Sequence, residues 1–379
     1  MNHFLLVTTS YPDESEGAAA AGTFVHDFAH ALSTVASVTV VAPGDTARVS
    51  QEQQVRVRRF TVPRQPLSLL SPANPAHWPA IVATLHAGGQ AVRRVCAETP
   101  VAHIFALWAL PSGYWGLQAS RRFGVPYSIW ALGSDIWTLG KIPLVRGILR
   151  RVLRDASNRY ADGLALEADV ERIGGKPCAF LPSCRALADF RVKILRDRPP
   201  YRLAFLGRWH PNKGIDLLAQ ALGSLGDQDW RRIEAIRIYG GGPLASQLQA
   251  QTALLIQAGR PVMVGGYLDR DGARELLNWA DYVVIPSRIE SIPVIFSDAM
   301  QMCCPVIAMP VGDLPQLLAE YRCGVLAPTV TAAGFAQALR RALTAAPTDF
   351  AAGLDTAASA FDVTTTAHNL AALLERNTR

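Results

Sequence analysis

The sequence predicts an α/β protein made of two doubly wound domains. Its 379 residues exceed what one compact core usually organises and suit two domains of ordinary size. Short, continuous Val/Ile/Leu runs recur along the chain with helical patterns between most of them, as expected of parallel strands covered on both faces. A charged segment carrying Pro199 and Pro200 interrupts this alternation near the middle, where neither a helix nor a sheet interior can continue.

In chain order, strands are expected at 3–9 (HFLLVTT), 37–43 (SVTVVAP), 55–60 (VRVRRF), 102–107 (AHIFAL), 127–132 (YSIWAL) and 163–167 (GLALE). The stretch 63–79, PRQPLSLLSPANPAHWP, is too rich in proline for an element and reads as a long loop within the first domain. The segment 191–202, RVKILRDRPPYR, is the linker, which sets a first domain at 1–195 and a second at 196–360. The second repeats the pattern at 202–207, 235–240, 261–266, 281–286, 305–310 and 324–328. Apolar positions in TTTAHNLAALLERN predict a helix within 361–379 that packs back on the first domain.

Half the chain is apolar and 18% is charged, a globular balance. The net charge of +6 lies wholly in the first half, where residues 1–195 hold 20 basic and 14 acidic side chains, against 17 of each in 196–379. Such a surplus suits a soluble surface, an anionic partner or a membrane surface, and no basic run studded with aromatics points to nucleic acid. The six cysteines form no CxxC pair, so neither a zinc site nor a disulfide framework is expected. MNHFLLVTTSYP lacks a basic n-region and reads as a first strand; with no run of about 18 apolar residues, a cytoplasmic protein is expected.

Three pieces of the second half carry chemistry. Arg208 follows a strand, and Lys213 precedes Gly214 and an amphipathic helix, so two cations and a helix N-terminus could meet a diphosphate. Gly240, Gly241 and Gly242 let a backbone approach a ligand closely. Glu290 precedes a helix opened by Pro293, and Asp298 lies within that helix; carboxylates accept two hydrogen bonds and so suit sugar diols. The plainer alternatives are a solvated cation pair, a capping Glu and a surface Asp. His26 and His30 share a helix face, but metal binding needs at least one more placed ligand, so no metal site is assigned.

With G-R-x4-K at Gly207, Arg208 and Lys213, the GGGP turn, ADYVVIPS, and a carboxylate pair eight residues apart followed by PVIA, the chain resembles the retaining GT-B glycosyltransferases of family four, the glycosyl transferases group 1. The resemblance covers both halves. It implies two Rossmann-like domains facing a central cleft, with Arg208 and Lys213 on the donor diphosphate, Glu290 at the transferred sugar and Asp298 at the ribose. It also implies a base pocket lined by Tyr239, Gly240, Gly241, Gly266 and Tyr267. In the first half, AAAGTFVHDFAHAL resembles the family's glycine loop, with Gly22 and Thr23 at its tip facing the donor phosphates. SIWALGSDIW resembles the acceptor side, with Gly133, Ser134 and Asp135 matching. Two positions depart from the pattern: Asp298 stands for the usual Glu, and Leu132 for the usual His of HGSD.

The implied activity is metal-independent, retaining transfer of a sugar from a nucleotide diphosphate donor to a lipid-linked or glycan acceptor, with no cofactor. Two alternatives stay open: a catalytically silent GT-B binding or scaffold subunit, and a nucleotide-sugar epimerase or hydrolase. In KIPLVRGILRRVLRDASNRY (141–160), Ile142, Val145, Leu149, Val152 and Leu153 lie near one side of a helix, with Arg146, Arg150 and Arg154 in i, i+4 register. Such a helix either packs its apolar side on the core or rests on an anionic membrane surface.

Overall fold

The computed structural model describes residues 2–12, 22–63, 70, 74–187 and 193–376. Most of the expected loop 63–79, residues 19–21 of the glycine-loop segment and residues 191–192 of the linker lie outside these. The chain divides into two compact units, Met1–Ala186 with Val363–Arg379, and Leu187–Asp362. The division therefore falls at Leu187, ahead of the Pro199 and Pro200 pair, and the C-terminal helix belongs to the first unit.

The first unit holds a sheet of β1 (His3–Val7), β2 (Ser37–Gly44), β3 (Arg48–Glu52), β4 (Val55–Thr61), β5 (His103–Leu107), β6 (Tyr127–Ala131), β7 (Asn158–Ala161) and β8 (Ala179–Phe180). Its order is β3-β4-β2-β1-β5-β6-β7-β8. The pairings are parallel apart from β3, which returns antiparallel on β4. Leu5, Val7, Ile104 and Ile129 are fully buried, as strands covered on both faces require. The helix Thr23–Ser33 buries Val25, Phe28, Ala29 and Leu32, each large side chain contributing roughly 1.5–3 kcal/mol. The helix Val363–Arg376 packs beside it and buries Ala367 and Leu370, and Thr34 Oγ1 lies 2.8 Å from His368 Nε2.

One expected strand is corrected. GLALE at 163–167 is not a strand but opens the helix Leu164–Gly174, which buries Leu166, Val170 and Ile173 at helical spacing. The strand is instead NRYA, just upstream, hidden by Arg159. That guanidinium is buried because it donates to the carbonyls of Leu153, Ala156 and Pro177, so its polarity is satisfied inside the fold. β3, RVSQE, escaped notice because an edge strand facing water carries polar side chains.

The second unit holds β9 (Tyr201–Arg208), β10 (Ile233–Gly241), β11 (Val262–Gly265), β12 (Tyr282–Ile285), β13 (Val306–Ala308) and β14 (Gly324–Leu326), all parallel in the order β11-β10-β9-β12-β13-β14. The chain leaves β9 outward on one side through β10 and β11, then returns to place β12 on the other. The strand order thus reverses between β9 and β12, where open α/β sheets bind ligands beyond the strand carboxyl ends.

Candidate functional site

The groups predicted to handle a diphosphate sit at this reversal. Gly207 and Arg208 end β9, with Arg208 exposed. The chain then makes a short turn of helix, Pro211–Lys213, capped by the His210 ring, which accepts from the Asn212 N–H at 3.2 Å. Gly214 follows at φ 65 and starts the helix Ile215–Gly223. A Cβ there would lie 1.9 Å from the carbonyl oxygen of Pro286, so only glycine lets the β9 loop close against the β12 loop.

Lys213 Nζ donates to Glu290 Oε1, which also accepts from Ser287 Oγ at 3.0 Å. The Lys213 side chain keeps 29% of its surface exposed and that of Glu290 12%, so the pair is sheltered but reachable. A second link was not foreseen. Arg288 forks onto Asp216 at 2.7 and 2.6 Å and donates to the Pro211 carbonyl at 2.6 Å. This hydrogen-bonded guanidinium holds the Asp216 carboxyl below its usual pKa. It locks the turn that carries Lys213 to the segment that carries Glu290, a link invisible in sequence because its members lie 72 residues apart.

The glycine piece differs slightly from expectation. Tyr239, Gly240 and Gly241 are still in β10, level with the end of β9: Gly240 pairs with Gly207 and Gly241 with Arg208. Gly240 adopts φ 146, and a Cβ on it would meet the Gly207 carbonyl oxygen at 1.9 Å. Trp209 N–H donates to the Gly241 carbonyl at 2.8 Å, and Gly240 N–H to the Gly266 carbonyl at 3.0 Å. Gly266 thereby lies beside the β10 end, and Tyr267 is 72% exposed next to it. The indole Nε1 of Trp209 and the hydroxyl of Ser291 are buried without hydrogen-bond partners, a deficit that a bound polar ligand could satisfy.

The helix after Glu290 runs Val294–Gln301, with Pro293 as its cap and not its first residue. Asp298 is fully buried in it and has hydrogen-bonding or electrostatic company. Its carboxylate is therefore enclosed by protein, whereas Glu290 reaches the surface.

In the first unit, Gly22 caps the helix Thr23–Ser33 at φ 82, with Thr23 as its first residue. Gly133, at φ 99, precedes the short helix Ser134–Trp137. Ser134 is exposed, but Asp135 is buried. Its carboxylate accepts the Ala109 N–H at 2.5 Å and the Leu132 N–H at 3.3 Å, joining the ends of β5 and β6. Burial pushes its pKa up to about 6 against the pull of those amides. Asp135 thus positions backbone. Trp108, directly after β5, holds a left-handed φ of 69 that a bulky residue rarely adopts, and Phe24 meets it edge-on at 6.1 Å. His103 is buried in β5 on Ser128 Oγ at 2.8 Å, and desolvation lowers its pKa to about 4, so it is a core side chain.

Residues 200–345 match the family described as Glycosyl transferases group 1. The D-inositol 3-phosphate glycosyltransferase of Mycobacteroides abscessus is 29% identical over 68% of this chain and 62% of its own length. The putative teichuronic acid biosynthesis glycosyltransferase TuaC of Bacillus subtilis is 28% identical over 64% of this chain and 60% of its own. The chain thus spans about three fifths of the length of these curated relatives. Among solved structures, the sucrose-phosphate synthase of Thermosynechococcus elongatus superposes with a TM-score of 0.71 at 17% identity, covering 100% of this chain and 99% of that one. HepE of Anabaena in complex with UDP does so with 0.68 at 16%, covering 99% and 100%. These two likenesses show the GT-B fold. The GT-B fold thus extends across both units, and residues 200–345 of the second match the glycosyl transferases group 1 family.

Proposed function

We propose that this chain is a retaining glycosyltransferase that moves a sugar from a nucleoside diphosphate donor to an acceptor hydroxyl. One observation carries the reading: Arg208, Lys213, Glu290 and the Gly240–Gly242 backbone converge at the carboxyl ends of β9, β10 and β12, beside the point where the strand order reverses. The solved neighbours that hold UDP, and the E. coli one bound with UDP-2-fluoro glucose, support a donor of this class.

In this reading the bond between the anomeric carbon and the diphosphate oxygen breaks first, giving an oxocarbenium-like centre. The acceptor oxygen attacks on the same face and its proton passes to the departing diphosphate. No side chain need then be a strong base. Arg208, Lys213 and the N-terminus of the helix Ile215–Gly223 stabilise the leaving charge in place of a cation. Glu290 takes sugar hydroxyls, Asp298 supports the ribose side from within its helix, and Tyr239, Gly266 and Tyr267 receive the base. The donor must displace Lys213 from Glu290, which leaves both groups free for phosphate and hydroxyl.

The acceptor side is assigned to Gly133 and Ser134, with Asp135 holding the backbone beneath them, and the tip at Gly22 and Thr23 is assigned to the donor phosphates. The relative named for teichuronic acid biosynthesis supports a glycan or lipid-linked acceptor in cell-surface synthesis, made at the cytoplasmic face of the membrane. The test is a panel of nucleoside diphosphate sugars scored separately for binding and for turnover. One donor that binds and turns over with retention of the anomeric configuration, in the presence of chelator, is the expected result. Binding with no turnover across acceptors would replace this reading with a silent binding subunit.

A further inference from the structure

We infer that the first unit carries a zinc-class metal site formed by His26, His30 and Glu52. In sequence the two histidines lacked a third ligand. The fold supplies it from the β3–β4 hairpin, where Glu52 is the last residue of β3 and Gln53 turns the chain at φ 50. One donor atom from each residue lies within 4.8 Å of the others, all three side chains are half-buried, and no other such cluster occurs among the described residues. The two rings face one another with centroids 4.2 Å apart. A tetrahedral ion with bonds of about 2.0–2.1 Å holds its ligand atoms roughly 3.4 Å apart, so small side-chain rotations close the site.

Two further observations point to a ligand. His30 Nε2 is buried and has no hydrogen-bond partner, a deficit that a folded protein rarely leaves. His26 is oriented from behind: its Nδ1 lies 3.1 Å from Asp27 Oδ1, and the other oxygen of Asp27 is held by the Ala186 N–H at 2.8 Å. That contact directs the Nε2 lone pair of His26 outward, as a carboxylate does behind a metal-bound imidazole. Tyr11 O–H donates to Glu52 Oε2 at 3.4 Å and orients the third ligand.

Two imidazoles and one carboxylate are the donor set of Zn²⁺, with a water completing four-coordination, whereas Mg²⁺ and Ca²⁺ prefer all-oxygen shells. The ion would staple the helix Thr23–Ser33 to the edge hairpin of the sheet and so fix the direction of its first turn at Gly22 and Thr23. This is a structural clamp within the first unit.

The experiment uses the full chain without a polyhistidine tag, stripped with chelator and titrated with ZnCl2 and, in parallel, CoCl2. Wild type should bind Zn²⁺ and gain thermal stability from it, with excess MgCl2 failing to displace the ion. His30→Gln and Glu52→Gln should each weaken binding by roughly a hundredfold, while His86→Gln, on an exposed helix face, should not change it. The Co²⁺ form should show ligand-field bands without thiolate charge transfer, which separates this site from the six cysteines. If His30→Gln does not fold, Glu52→Gln at the hairpin edge carries the comparison. Unchanged affinity in the folded ligand variants, thiolate absorption, or displacement by Mg²⁺ overturns the site. The readout is bound metal, so failure here leaves the transferase reading standing.

Discussion

The carboxyl ends of the two parallel sheets put acidic groups to opposite uses. In the second unit, Glu290 follows β12, reaches the surface, and pairs with the partly exposed cation of Lys213. In the first unit, Asp135 follows β6, is buried, and spends both oxygens on backbone amides. Both stand where α/β sheets place function, yet only one keeps bonding capacity in reserve. Proximity to a strand end is therefore weak evidence for chemistry, and unspent polar capacity at that end is better evidence.

The largest test of this contrast lies in the second unit. Arg208→Ala and Lys213→Ala should each lower turnover about a hundredfold, roughly 3 kcal/mol of lost leaving-group stabilisation, with an unchanged melting temperature. Both side chains are at least partly exposed at the ends of their elements, so the fold does not depend on them. Near-wild-type turnover in either variant breaks the assignment of the phosphate site.

Asp135 should behave in the opposite way, through stability and pH. Burial raises its folded pKa to about 6, above the ordinary carboxyl value of 3.8. A carboxyl raised in this way contributes stability that is fully present below about pH 4 and is lost as pH rises through 6, because the buried anion is disfavoured. The swing is on the order of 2–3 kcal/mol. Asp135→Asn should flatten the stability profile between pH 4 and 7 as followed by urea melts, while donor binding stays as in wild type. A variant whose profile keeps the wild-type slope shows that Asp135 does not titrate in this window.

Much of this was legible in the sequence because the signals were local. The Arg208 to Lys213 spacing, the glycine run and the strand before Glu290 each sit within about a dozen residues, and periodic apolar runs mark the strands they follow. What was lost depends on distance or on inward-facing polarity. The Arg288–Asp216 fork and the third member of the His26 and His30 cluster come from elements far apart in the chain. Arg159 hid a strand because its guanidinium is satisfied by carbonyls that the fold brings to it. Asp298 sits at a donor-site motif position, yet nothing local says that its carboxylate is enclosed.

That enclosure sharpens the comparison inside the second unit itself. Glu290→Gln should lower kcat/KM about tenfold further than Asp298→Asn, since the former is proposed at the transferred sugar. Asp298→Asn should instead lower the melting temperature, because it disturbs a fully buried polar group. The reverse pattern, with stability carried by Glu290 and rate by Asp298, would move the sugar subsite along the helix.

The smallest expected effect concerns the helix Pro143–Asp155 of the first unit. Its apolar side, Leu149, Val152 and Leu153, is packed into the core, so most of the stripe seen in sequence is structural. Leu144 and Ile148 are different: they are 87% and 46% exposed, on the same helix as the exposed Arg146 and Arg150. Two apolar side chains among arginines suit shallow contact with anionic lipid, the surface that the proposed lipid-linked acceptor would require. Two residues cannot anchor a protein alone, so the contact should be weak and depend on salt, whose screening length is about 10 Å at 0.1 M. The chain should sediment with anionic and not with neutral vesicles at low salt. Leu144→Ser with Ile148→Ser should reduce the bound fraction several-fold, and so should replacing Arg146 and Arg150 by Gln. Because these side chains lie outside the core, neither variant should alter the melting temperature. A chain that stays in the supernatant with anionic vesicles at low salt gives the exposed pair no membrane role and favours a soluble acceptor over a lipid-linked one.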